Sequence, residues 1–241
     1  MISSKEEYRF YLEADRVALC QHRRRPRPID DTWRYQRLLR KVEYYMNCKR
    51  SALSRAYFYF LYMRFHWMSQ KLGFTIFPNT IGPGLCLAHR GDVVISVHAR
   101  IGENCRIQSG AGIGTEVRYQ HKAATIGNNV YIGPGAKILG AVVLGDDVAV
   151  GANAVVVRSF EAPHQTVAGI PACKVSDKGT EGLLLRATEM VRAAQSEAPQ
   201  PVGAPAESRY QRSTKINTFP FVSRVSRKLG LRRRTEKSGP E

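Results

Sequence analysis

Residues 126–157 read IGNNVYIGPGAKILGAVVLGDDVAVGANAVVV, and the period of that stretch decides the fold. Ile126, Ile132, Ile138, Leu144, Val150 and Val156 recur every six residues, and Gly127, Gly133, Gly145 and Gly151 each follow one of them. Four places after these branched residues come Val130, Ala136, Val142, Val148 and Ala154. Neither an α-helix of about 3.6 residues per turn nor an alternating antiparallel strand has such a period. Short parallel strands joined by tight turns do, three to a triangular coil. The recurring branched residue then fills the interior, and glycine or asparagine occupies turns that need positive φ.

Working outward, Ile95, Ile101, Ile107 and Ile113 obey the same rule, with Cys105 and Ala111 at the fourth place, and Ile81, Leu87 and Val93 continue it less regularly. Roughly thirteen hexads between Ile76 and Val157 stack into about four coils, above the three or so that a solenoid needs. The polar insertion TEVRYQHKAAT, from Thr115 to Thr125, should project from a corner as a loop that closes over a neighbouring site. Upstream, residues 33–72 lack proline and read as helix ended by Gly73. Tyr44, Tyr57, Phe60, Leu61 and Trp67 are expected to pack on the coil and on one another, with contact to a membrane interface as their other use. Downstream, Asp177 to Gln195 reads as a capping helix, Ser196 to Glu207 as a Pro/Ala linker, and the remainder as a flexible basic tail. The expected organisation is a helical segment over 1–73, the repeat domain over 74–176, a helix over 177–195, and linker plus tail over 196–241.

The net charge of +17 is unevenly placed: +9 over residues 1–72, +2 over 73–175, −1 over 176–206 and +7 over 207–241. A nucleic-acid enzyme would concentrate positive charge around its functional core, so the basic ends read instead as accessories for an anionic surface such as a membrane. Five cysteines, an odd number with no Cys-x-x-Cys pair, indicate neither a disulfide framework nor a cysteine zinc site. The most apolar stretch, Ala56 to Met68, carries Arg64 and is shorter than the roughly 20 residues of a spanning helix. The charged opening MISSKEEYRFYLEADR is unlike a signal peptide, so the expected location is cytoplasmic, peripheral to the inner face of the membrane through the basic ends.

The stretch FPNTIGPGLCLAHRGDVVISVHARIGENCRIQSGAGIGT, from Phe77 to Thr115, together with IGNNVYIGPGAKILG and the closing GIPACKV, resembles the serine acetyltransferase-like branch of the hexapeptide-repeat acyltransferases. The resemblance covers about residues 75–176 and is carried mainly by IGPGL-x-L-x-H-x-G followed by I-G-x-N-C-x-I-x-x-G. It implies a mainly β fold, a left-handed parallel β-helix of hexapeptide repeats flanked by an N-terminal helical segment, a C-terminal helix and the tail. It further implies a homotrimer with active sites between subunits, and acetyl-CoA as acyl donor. No metal is expected.

In that family the histidine of the first motif deprotonates the acceptor, and the matching residue is His89. The chemistry agrees, because an alcohol attacks a thioester efficiently near neutral pH only if a base removes its proton. Asp92, Arg118 and His121 are the expected acceptor-side residues; Gly114, Gly133, Gly151, Arg158 and Lys174 are those expected to hold acetyl-CoA. Thr75 and Ala88 stand where true serine acetyltransferases carry aspartates, one orienting the histidine and one holding the amino acid. That leaves two acceptors, serine or a sugar hydroxyl of a polysaccharide. A zinc lyase on the same scaffold would need converging histidines, and no His-x4-His pair exists. The alternative outside enzymology is an inactive trimeric scaffold tethered to membrane or glycan-assembly machinery.

Overall fold

The structure, a computed structural model, describes residues 1–116 and 121–197. Its centre is a parallel coil of three sheets. The first stacks β1 (Phe74–Thr75), β3 (Val93–Ile95), β6 (Gly112–Gly114), β9 (Lys137–Leu139) and β12 (Val155–Val156). The second stacks β4 (Arg100–Ile101), β7 (Thr125–Ile126) and β10 (Val143–Leu144). The third holds β2 (Cys86–Leu87), β5 (Arg106–Ile107), β8 (Tyr131–Ile132), β11 (Ala149–Val150) and β13 (Thr166–Gly169), and ends on antiparallel β14 (Ala172–Ser176).

The hexads lie in register. Ile95, Ile113, Ile138 and Val156 stack along the first sheet, Ile101, Ile126 and Leu144 along the second, and Leu87, Ile107, Ile132, Val150 and Val167 along the third. All twelve are buried, and each buried branched side chain contributes about 1.5–3 kcal/mol of hydrophobic stabilisation. Partners lie 18 residues apart in an uninterrupted coil, as Ile138 to Val156, and 25 apart across the insertion, as Ile113 to Ile138; the insertion therefore adds seven residues without disturbing the register. At one corner Asn104, Asn129 and Asp147 adopt φ of 56°, 56° and 57°, a region that asparagine and aspartate tolerate better than most residues. Asn104 donates to the Asn129 side chain at 2.9 Å, forming part of a polar ladder.

Two helices close the first coil. In α1 (Lys5–Ala18) and α2 (Asp31–Cys48), buried Asp15, Gln36, Arg40 and Glu43 meet backbone groups that would otherwise form an open sheet edge. Gln36 donates to the Leu85 carbonyl at 2.7 Å and accepts from the Leu87 amide at 2.9 Å. Arg40 donates to the carbonyls of Ile81 and Gly82 and to the carboxylates of Asp15 and Glu43.

Three expectations are corrected. Residues 33–72 do not form one helix: Lys49 is extended, and Ser51 accepts from the Ser54 amide at 3.2 Å, starting α3 (Ala52–Leu72) afresh. Gly73, at φ 75°, ends α3 as anticipated. Of the aromatic-rich set, Leu61 is buried, but Phe60 and Trp67 remain 59% and 63% exposed, because the inward stripe of α3 is Leu61, Phe65, Met68 and Leu72. The C-terminal helix is shorter than Asp177–Gln195. It is α4 (Ala187–Ser196), preceded by turns in which Gly179 and Gly182 take φ of 55° and 73°. Helix α4 docks on the polar ladder, where the Thr188 amide donates to Asn104 at 2.9 Å and Arg186 pairs with Asp147 at 2.7 Å. Together α1 and α4 cover Cys86 on the third sheet. The tail and part of the linker lie outside the described residues.

Candidate active site

His89 sits in the turn from β2 to β3, where the chain passes from the third sheet to the first. The turn is braced from three sides. The Ala88 amide donates to the Ile107 carbonyl at 3.3 Å, Arg90 pairs with Asp31 at the start of α2 at 2.5 Å, and the Gly91 amide donates to the Leu72 carbonyl at 3.2 Å. His89 itself is exposed, and among the described residues nothing hydrogen-bonds to its ring. Asp92 is also exposed and lies against Gly73. Thr75, in the position of one replaced aspartate, is exposed on β1 and pairs in register with Val94.

Gly133 and Gly151 occupy the same corner in later coils. A Cβ on Gly133 would come within 2.7 Å of the Val150 carbonyl, so the close stacking of coils is enough to require glycine there. Gly114 lies at the end of β6, and its carbonyl accepts from the Gly140 amide at 3.3 Å. The insertion closes at its base through the Thr115–Ala123 bridge and the Glu116 amide donating to Lys122. His121 is exposed beyond that base; Arg118 lies outside the described residues.

At the next corner, between the first and second sheets, an open groove of about 620 Å³ runs along the later coils. Arg158 lines it with Thr115, Glu116, Leu139, Val142 and Ser159. The Arg158 guanidinium lies over the Phe160 ring and donates to the Cys173 sulfur at 3.1 Å, holding its charge at the rim. Lys174, on β14, pairs instead with Asp177. Leu139, Glu116 and Ser159 escaped the sequence reading because they carry no motif of their own. Asp31 and Leu72 escaped it because their contacts to the His89 turn are long-range. The structure therefore sets His89, Gly133 and Gly151 at one corner and Arg158, with the base of the insertion, at the next. Outward along and beside the first sheet stand the exposed apolar side chains of Val94, Val97, Leu139, Val143 and Val157.

Known proteins share the repeat and the fold. Residues 123–158 match the family described as bacterial transferase hexapeptide (six repeats), and residues 98–119 match that described as hexapeptide repeat of succinyl-transferase. A serine acetyltransferase of Helicobacter pylori is 39% identical over 112 residues, 45% of this chain and 66% of the relative. The chain thus spans just under two thirds of that relative's length. Among solved structures, the Neisseria gonorrhoeae serine acetyltransferase is 28% identical, with TM-score 0.55 over 78% of this chain and 72% of that one. A second structure of that enzyme, in complex with serine, is 26% identical with TM-score 0.55, covering 72% and 71%. Fold and repeats together define a left-handed β-helix of hexapeptide repeats. Within that fold, the chain is similar to serine acetyltransferases over part of its length.

Proposed function

We propose that this chain is an acetyl-CoA-dependent O-acetyltransferase in which His89 is the general base. The observation that carries the proposal is an exposed imidazole, on a turn braced from three sides, whose ring forms no hydrogen bond within the described chain. In the reaction the imidazole takes the acceptor hydroxyl proton while the oxygen attacks the thioester carbonyl. The tetrahedral oxyanion then collapses, the carbon–sulfur bond breaks, and the departing thiolate recovers the proton from the imidazolium. Direct transfer of this kind needs no acyl-enzyme. Backbone amides of the glycine-rich turns near Gly110 and Gly114 are the available oxyanion donors.

Acetyl-CoA would lie along the groove, with Arg158 and Lys174 meeting its phosphates and Gly114, Gly133 and Gly151 allowing close approach of its pantetheine arm. Asp92, Arg118 and His121 would face the acceptor. His89 and Arg158 occupy different corners of one protomer, so a single site would be completed between neighbours in a homotrimer. The apolar side chains along the first sheet supply a surface for that packing. Thr75 and Ala88 remove two carboxylates, including an anchor for a substrate ammonium, which favours a sugar hydroxyl in a polysaccharide as acceptor beside serine. The basic ends would hold the enzyme against an anionic membrane from the cytoplasmic side.

A second reading, an inactive trimeric scaffold, draws support from the same unpartnered His89, because no carboxylate orients it. Thiol release from acetyl-CoA is the deciding test, run with L-serine and with a panel of saccharides. We expect release with one acceptor class and a loss of about 10²–10⁴-fold in His89→Ala. Equal turnover by the variant would end the general-base proposal, and silence with every acceptor would favour the scaffold.

A further inference from the structure

The outer face of α3 is unlike the rest of the surface. Leu53, Ala56, Phe60, Met63 and Trp67 follow one another at intervals of three and four residues, so they share one side of the helix. That side points away from the core: Leu53 is 86% exposed, Met63 65% and Tyr59, at its flank, 63%. The opposite stripe, Leu61, Phe65, Met68 and Leu72, is buried against α2 and the first coil, so α3 cannot leave the fold. No helix of the described chain is long and apolar enough to cross a membrane. A helix pinned along one side, with an apolar other side, can meet a lipid surface only by lying along it.

The charges identify what lies opposite. Helix α3 contains Arg55, Arg64 and Lys71 but no aspartate or glutamate, and Lys49 and Arg50 precede it. Among the described residues Arg50, Arg55, Arg64 and Lys71 enter no ion pair. Two lysines at this face meet aromatic side chains. Lys71 Nζ lies 5.5 Å from the Trp67 ring centroid, and Lys41, across on α2, donates to the Tyr57 hydroxyl at 2.8 Å. Rings at the centre, tyrosines at the flank and cations reaching past them reproduce the layering of the headgroup region, where amphipathic rings sit at the interface and basic side chains extend to phosphate. Pairing of two copies through this face would set like charges against one another with no carboxylate to relieve them.

We infer that the outer face of α3 seats this protein on an anionic phospholipid surface, with Phe60, Met63 and Trp67 entering the headgroup–acyl boundary. The inference deepens the membrane contact in the proposed function and rests on it for the class of surface. It adds the element that inserts, which the basic ends alone do not provide.

One reporter is built in. Of the two tryptophans, Trp33 is buried and Trp67 is exposed, so a change of emission on adding vesicles reports α3. The full chain is mixed with phosphatidylcholine vesicles, with or without about one third phosphatidylserine. The expected result, only with the anionic lipid, is co-sedimentation, a blue shift and quenching by brominated acyl chains. Phe60→Ser/Met63→Ser and Arg55→Glu/Arg64→Glu/Lys71→Glu should each lower partitioning about tenfold or more while leaving the unfolding midpoint unchanged, since all five side chains are exposed. Co-sedimentation with unmoved Trp67 emission would overturn the inference and leave membrane contact through the basic ends standing. No co-sedimentation would overturn both. A smaller particle mass for the serine variant in the absence of lipid would overturn the inference in favour of a face that pairs copies.

Discussion

Arg40→Met tests how the helices are fastened to the coil. The guanidinium is fully buried and donates to Asp15 at 2.9 Å, Glu43 at 3.1 Å, the Ile81 carbonyl at 2.8 Å and the Gly82 carbonyl at 2.6 Å. Methionine fills much of the volume but leaves two buried carboxylates without their cation and two carbonyls without a donor. Asp15 keeps the Leu85 amide at 2.8 Å and Glu43 keeps the Asn79 amide at 2.8 Å, so part of the solvation survives. Breaking one side of a buried pair costs about 3–5 kcal/mol, which is a large fraction of the about 5–15 kcal/mol by which domains are stable. The cost should depend on pH. Burial already pushes the Asp15 carboxyl up, with Arg40 and the Leu85 amide pulling the other way. Without Arg40 its folded pKa rises further above the unfolded value of about 3.9, so the penalty is larger at neutral pH and shrinks as pH falls toward that value. Urea unfolding at pH 7.5 and pH 5 is the assay. Asp15→Asn/Arg40→Met/Glu43→Gln should recover about half the loss or more, because it buries no unpaired charge. A single variant within about 1 kcal/mol of the parent at both pH values would refute the account of Arg40 as the pin.

The remaining predictions concern the core, the thiols and the groove. Ile132→Ala, at the centre of the third sheet, should cost about 2–5 kcal/mol in the same assay, because its neighbours Ile107 and Val150 are fixed by strand register. At pH 8, exposed Cys20 and Cys173 should react with a disulfide reagent in the folded protein, whereas Cys86 and Cys105 should react only after unfolding. Burial pushes the Cys86 thiol up to about 11 and moves Cys105 in the same direction. Both thiols therefore favour the fold below the unfolded value of about 8.5 and withdraw that contribution as pH rises through their folded values, so alkaline unfolding should come later in Cys105→Ala than in the parent. Arg158→Ala should raise the KM for acetyl-CoA about tenfold while the unfolding midpoint stays put, the side chain being exposed; an unchanged KM would remove Arg158 from the donor site.

The repeat was legible because it is local: six residues encode one strand, one turn and one interior position, and strand pairing from Ile95 to Val156 follows that phase. The break at Lys49–Ser51 was not, because a serine cap ends no periodic pattern and an apolar run continues on both sides of it. Nor was the exposure of Phe60 and Trp67. Position on a helix wheel tells which residues share a side, while the side that faces the core depends on where α2 and the first coil lie. The early part of the C-terminal segment was misread because its anchors, Asp147 and Asn104, are distant in sequence and act on it through Arg186 and the Thr188 amide.

The same contrast bears on the proposed division of the site between two corners. A hexapeptide coil can change those turn residues that face outward without loss of stacking, since the interior is set by every sixth position, whereas turn positions such as Gly133 that meet the next coil stay fixed. His89 and Arg158 stand on such outward turns at adjacent corners, each held by contacts the repeat does not specify: Arg90 to Asp31 for one, the ring of Phe160 for the other. Replacing Thr75 or Ala88 with aspartate should therefore leave the coil intact, because Thr75 is exposed and Ala88 is only half-buried. Such variants would vary the acceptor side of the chemistry on an unchanged scaffold, which separates loss of a carboxylate from loss of the fold as the reason for any preference between serine and a sugar hydroxyl.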